Sequence, residues 1–185
     1  MIDDLLDELR QRMEKSVGVL QDDLLSIRTG RASPALVEKL MVEYYGAMTP
    51  LNQMASIAAP EPRLLVIRPW DPSVLMDIER AILKSDLGLT PMNDGKLIRL
   101  GIPRLTEERR RELVRVVGRR VEEARVAVRN LRRDALQDLK EFEKEKMISE
   151  DEFFRGKDRV QELTDEMIEE IDEIGRRKEE EVMEI

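Results

Sequence analysis

The sequence predicts an α+β protein: a long three-helix bundle, discontinuous along the chain, with a small α/β domain of mixed sheet plus short helix inserted into it. Three observations predict this class. Apolar stripes of helical period run through both ends of the chain and not through its middle. The middle carries β-branched and aromatic runs punctuated by Gly and Pro. Each of the three long stripes would be half exposed alone, and packing them together buries all three. The expected division is residues 1–29 and 106–185 for the bundle and 30–105 for the insert, with a double linker near 30–34 and 103–106 that makes a natural hinge. The alternative, one continuous coiled coil carrying a loop domain, would leave the third stripe uncovered.

Residues 2–28 read as the first helix. Leu6, Met13, Leu20 and Ile27 recur every seven residues, with Ile2, Leu9, Val17 and Leu24 beside them. "RTGRASP" ends it, because Gly30 can supply a left-handed C-cap and Pro34 cannot continue a helix. "KLMVEYYG" and "LLVIRP" read as strands. "DPSVLMDIERAILKSDLG" reads as a short helix with Asp71 as N-cap, Pro72 at the first helical position and Gly88 just beyond the end. "MNDGKLIRLGIP" reads as a surface turn leading into another strand.

Helix returns at Thr106, an expected N-cap followed by two glutamates that the helix dipole favours. Val117, Val121, Ala124, Val128, Leu131, Ala135 and Phe142 alternate in spacings of 3 and 4. They imply about 40 helical residues, or about 60 Å. "ISEDEF" breaks and restarts the chain, with Ser149 and Glu152 as a capping box and Ile148 with Phe153 as a hydrophobic staple. The last helix places Val160, Leu163, Met167, Ile171 and Ile174 on one face.

Composition excludes most enzyme chemistries. The chain has 185 residues, 41% hydrophobic and 39% charged, so a core must coexist with many solvated positions, as on long surface helices. There is no cysteine and no histidine. Disulfides, thiolate nucleophiles, the commonest general base and the commonest transition-metal ligand are all missing. "GLTPMNDGKL", from Gly88, is the nearest thing to a phosphate-binding loop, but its glycine spacing is too long and Leu97 stands where Ser or Thr must hold magnesium. No catalytic residue, metal or cofactor is expected. No apolar run approaches the ~20 residues of a membrane span, and the acidic opening "MIDDLLDELR" is unlike a signal peptide. A cytoplasmic protein without membrane contact is expected.

Charge is unevenly spread. The formal net charge is -8, yet residues 109–133 hold ten arginines against three acids, a net of +7, while residues 148–185 net -9. A helix turns about 100° per residue; with Arg125 set at zero, the apolar stripe centres near about 280°, and Arg111, Arg115, Arg125, Arg129, Arg132 and Arg133 fall between roughly -20° and 80°. Glu123, Asp134, Asp138 and Glu141 form a third, acidic face, and Glu122 interrupts the basic one. Two readings stand. The arginines can bridge to the acidic last helix, each exposed pair contributing ~0–1 kcal/mol. They can instead bind phosphate, which the guanidinium fork matches bidentately. The aromatics are only Tyr44, Tyr45, Trp70, Phe142, Phe153 and Phe154, the phenylalanines being expected in core or staple. Platforms for splayed bases are lacking, so a phosphate reading means the backbone of folded RNA, recognised by shape.

"RTGRASPALVE", "SDLGLTPMNDGKLIRLGIPRLTEERRRELV" and "RVAVRNLRRDA" resemble the signature blocks of the ribosome recycling factor family, and the likeness spans the whole chain. The resemblance implies an L-shaped, roughly tRNA-sized molecule with the bundle as long arm, a flexible hinge, and no catalysis of its own. It implies binding to the large ribosomal subunit and its 23S rRNA after termination. With elongation factor G and GTP the post-termination complex is then split, releasing mRNA and tRNA. The implied RNA-binding residues are Arg129, Arg132 and Arg133 in "RNLRRDA", Arg28 and Arg31 in "RTGR", and Arg110; the implied hinge residues are Gly30, Ala32, Pro103, Arg104 and Leu105. Arg104 stands where the family has a second proline, and Gly101 where it often has a larger residue, which bears on hinge stiffness. The implied factor is monomeric. The alternative is a self-associating coiled-coil or chaperone-like module without RNA affinity.

Overall fold

The computed structural model describes residues 1–184. Its elements are α1 (Ile2–Leu25), β1 (Met41–Tyr44), β2 (Ala47–Pro50), β3 (Ala55–Glu61), β4 (Leu64–Pro69), α2 (Leu75–Lys84), β5 (Pro91–Asn93), β6 (Ile98–Gly101), α3 (Glu107–Lys144) and α4 (Glu150–Met183). The described chain divides into two compact units, Met1–Thr29 with Glu107–Glu184, and Gly30–Thr106.

The first unit is α1, α3 and α4 around one core. The stripes read from the sequence are its interior: Leu6, Leu9, Met13, Val17, Leu20 and Leu24 from α1, Val117, Val121, Ala124, Val128 and Ala135 from α3, and Val160, Leu163, Met167 and Ile171 from α4. Leu131, Phe142 and Ile174 are half-buried against it, and Leu139, outside the predicted stripe, is fully buried. Burying each large side chain contributes about 1.5–3 kcal/mol. Two glycines of α4 permit the close approach to α3. A Cβ at Gly175 would lie 2.6 Å from Val121 Cγ2, and one at Gly156 would lie 3.1 Å from Leu139 Cδ2.

The α3–α4 corner follows the sequence. Lys146 takes φ 61 to reverse the chain. The Ser149 hydroxyl accepts from the Glu152 N–H at 3.2 Å while the Glu152 carboxylate accepts from the Ser149 N–H at 2.7 Å, so the capping box is complete. The Ser149 N–H first, and its hydroxyl next, hold the Glu152 carboxyl below its ordinary range. Phe153 packs against the core; Phe154 does not, being 50% exposed, which corrects its assignment to core or staple.

The end of α1 differs from expectation. The helix stops at Leu25 rather than 28 because the Ser26 hydroxyl donates to the Asp23 carbonyl at 2.6 Å and Ile27 N–H turns back to Leu24 O. Gly30 is left-handed (φ +74), but the C-cap of α1 is Ser26, so Gly30 does not end the helix.

The second unit pairs a hairpin, β1–β2, with an antiparallel sheet in the order β3-β4-β6-β5. Leu65, Ile67, Ile98 and Leu100 alternate inward with Leu75, Ile78 and Ile82 of α2 in one core. β3, "ASIAAPE", escaped the sequence reading because its small residues and Pro60 depart from strand propensity; its partner β4 supplies the apolar side chains. Asp71 caps as expected, accepting from the Ser73 N–H at 3.0 Å, but the cap opens a 3₁₀ turn, Pro72–Val74, ahead of α2. "MNDGK" is a surface turn: Asn93 accepts from Gly95 N–H at 2.7 Å and Asp94 from Lys96 and Leu97 N–H at 2.9 Å. The Leu97 and Lys96 amides, with Arg99, hold the Asp94 carboxyl below its ordinary value.

Candidate nucleic-acid interface

Thirty-eight residues of unbroken α3 carry the arginine block. Its inner stripe is anchored in the core, so the helix phase decides what every other side chain meets. Arg125 reaches across to α4. Its Nε donates to Asp172 Oδ1 at 2.8 Å and its Nη1 donates to Glu122 Oε2 at 3.0 Å. Those bonds, to Asp172 first and Glu122 next, raise its already high pKa, so it stays charged at every working pH. Glu122 also accepts from Arg129 at 3.3 Å. The acid that interrupts the basic face is therefore a brace between two of its arginines. Arg111 pairs with Glu107 and Arg120 with Glu123, both along the helix.

The remaining arginines differ. Among the described residues Arg132 meets only the neutral Gln161, at 3.4 Å. Among the same residues Arg115, Arg119 and Arg133 have no carboxylate at ion-pair distance, and all three are exposed. The salt-bridge reading thus accounts for Arg125 and leaves Arg132, Arg133, Arg115 and Arg119 as available cations. Arg115 belongs to the face by its phase. Arg119 sits at about 120° on the same scale, outside the limits drawn from the sequence. Its exposure, not its phase, reveals it.

Arg110 stands apart. It lies near about -60°, toward the apolar stripe. It is half-buried, and its Nε is enclosed without an acceptor among the described residues. Arg28 and Arg31 are exposed on the segment after α1. Between them Thr29 is buried, and its hydroxyl donates to Glu181 of α4 at 3.1 Å; Lys178 lies 3.4 Å from the same carboxylate. The chain leaving α1 is thereby tied to the last turns of α4.

Of the positions expected to form a hinge, Gly30 has a positive φ, and a Cβ there would lie 3.0 Å from Leu105 Cγ. Ala32 is buried, with its N–H donating to Pro62 O at 2.7 Å. Pro103 and Arg104 are exposed and Leu105 is half-buried.

α4 presents the opposite sign. Glu162, Glu169 and Glu170 are exposed on it. Glu173 is held at about 2 by hydrogen bonds from Arg176 and then Arg177. Glu166 is lowered by Arg10 of α1, 3.1 Å away. Among the described residues no cluster of three or more Asp and Glu is arranged to hold a metal ion, and no helix is long and apolar enough to cross a membrane.

The chain is a two-unit α+β protein whose long helix α3 presents exposed arginines. Residues 20–183 match the family model "Ribosome recycling factor". The ribosome-recycling factors of Carboxydothermus hydrogenoformans and Syntrophomonas wolfei are each 57% identical to it over 185 residues, covering 100% of both chains. A solution structure of a ribosome recycling factor superposes with TM-score 0.78 at 43% identity, covering 100% of this chain and 98% of that one. The T. thermophilus ribosome recycling factor, in a structure with the E. coli elongation factor G bound to the E. coli post-termination complex, gives TM-score 0.68 at 49% identity, with 100% of each chain covered. The chain belongs to the ribosome recycling factor family, whose members are translation factors.

Proposed function

We propose that this chain binds the large ribosomal subunit after termination by laying the arginine face of α3 against the backbone of 23S rRNA. With elongation factor G and GTP it then splits the post-termination complex and releases mRNA and tRNA. The observation that carries this reading is the set of exposed arginines without a neutralising carboxylate among the described residues, Arg133 and Arg115 with Arg132 beside them, on a helix that packs against the acidic α4. Fork-shaped cations suit phosphate oxygens, and the acidic α4 disfavours other docking poses. Arg129 joins the contact when phosphate competes with Glu122, and Arg28 and Arg31 extend it. Arg110, half-buried with its Nε enclosed, is the weaker member of the set. Hydrolysis of GTP belongs to the partner, and the factor acts as a cytoplasmic monomer. The passages at Gly30–Ala32 and Pro103–Leu105 serve as the hinge, with Ala32 marking its inner limit because its N–H is bonded within the second unit.

Equilibrium binding to vacant ribosomes across a salt series tests the reading, with Arg132→Ala beside wild type. Loss of one phosphate contact should weaken binding and lower the slope of log K against log salt by about 0.9. Unchanged affinity and slope, with self-association in sedimentation, would sink it.

A further inference from the structure

Gly118 lies in the middle of α3, exposed, with nothing within 4 Å of the Cβ it lacks. An exposed glycine in a helix interior is destabilising relative to alanine, since it adds backbone freedom to the unfolded chain and packs nothing. The bundle does not require it. Gly156 and Gly175 make room for Leu139 and Val121, whereas Gly118 makes room for no described group of this chain.

Its phase is informative. With Arg125 at zero, Gly118 falls at about 20°, near the centre of the arginine face. Arg115 and Arg111 lie one and two turns before it on that face, and Glu122, Arg125 and Arg129 follow it. The basic surface therefore has a notch, where the helix backbone itself is the outermost group. Long side chains on either side can reach phosphates while the helix axis comes close. A leucine or arginine at the notch would hold a ligand off by the length of its side chain.

We propose that Gly118 is the point of closest approach between this chain and its RNA, where the ribose-phosphate backbone of a folded RNA segment packs directly on the helix. Shape-based recognition of folded RNA runs through phosphates and 2′-hydroxyls. A bare helical surface with Arg115 one turn before it and Arg125 and Arg129 beyond Glu122 accommodates both, the sugars over the notch and the phosphates at its rims. The inference rests on the RNA-binding reading of the arginine face and adds a steric requirement to it.

The test is a size series, Gly118→Ala and Gly118→Leu. Gly18→Ala, at the other glycine with nothing within 4 Å inside a long helix, is the control, and Arg132→Ala runs alongside. Thermal unfolding and binding to vacant ribosomes are measured for each. Alanine and leucine are both strong helix formers, so both should raise Tm by a few degrees, as should Gly18→Ala. Binding should fall about threefold for Gly118→Ala and tenfold or more for Gly118→Leu, with no change for Gly18→Ala. Stability and affinity would then move in opposite directions at one position, graded by side-chain size. Equal losses for alanine and leucine would mean that helix flexibility matters rather than contact, and would overturn the proposal. Wild-type affinity in Gly118→Leu would overturn it too. If Arg132→Ala still weakens binding in that case, the RNA reading survives without the notch. If Arg132→Ala binds like wild type while Gly118→Leu does not, a ligand other than RNA backbone meets the notch, and the proposal also falls.

Discussion

α3 and α4 share an inner plan and differ in their outer ones. Both bury a stripe that includes Val117, Val121, Val128 and Leu139 on one helix and Val160, Met167 and Ile171 on the other. Outside, residues 109–133 net +7 and residues 148–185 net -9. Packing and surface charge are thus written in different positions of the same helices. The apolar positions of period 3.6 decide how the helices meet, and the positions between them are free to carry whatever charge the surface needs. Arg125 and Asp172 are where the two plans touch, because there the outer charge of one helix is used on the other.

The inner plan breaks most severely. Ile171→Ala, at a fully buried site, should cost about 2–5 kcal/mol of unfolding free energy. Gly175→Ala should cost about 1–3 kcal/mol, since its new methyl would enter the space of Val121. Denaturant melts followed by circular dichroism measure both. Ribosome affinity should be unaltered where the variants remain folded, and losses well under 1 kcal/mol at both sites would mean that α3 and α4 do not depend on this close approach.

The outer plan responds more gently. Glu122→Gln removes the negative charge shared by Arg125 and Arg129 and leaves one amide oxygen in place of two carboxylate oxygens, so it should tighten ribosome binding several-fold at low salt, on the order of 0.5–1 kcal/mol, and less at high salt. Titrations at two ionic strengths check this. Weaker binding would show that the brace, by aiming Arg129, outweighs the charge that it cancels.

The smallest effect concerns pH. With no histidine or cysteine, Tm and ribosome affinity should be flat from about pH 5.5 to 7.5. Glu173 is lowered to about 2 from an ordinary 4.5, so what its pairing contributes is present above about pH 4.5 and is lost as pH falls toward 2. Glu173 is partly exposed, and solvent screening means that Glu173→Gln should flatten the acid limb only slightly. A break in the melting profile near neutrality would contradict the composition argument.

Legibility followed the same division. The three stripes, the capping box at Ser149 and Glu152 and the arginine block could all be read from the chain, because helical period and local caps depend on residues a few positions apart. β3 could not, because its small side chains form a strand only through pairing with β4. The end of α1 was misread at Gly30, because a single serine hydroxyl stopped the helix earlier.

What the sequence alone determined is the fold class, the absence of histidine and cysteine chemistry, and the segregation of charge onto two helices. These follow from composition and periodicity, which no partner can change. Tertiary structure decided which arginines are available. Arg125 and Arg129 share the block with Arg132 and Arg133, and on a helical wheel all four look alike. Only the packing of α4 against α3 brings Asp172 to Arg125, and only side-chain geometry places Glu122 between Arg125 and Arg129. An ion pair across 47 residues depends on where two helices meet, and that is a property of the assembled core rather than of either helix.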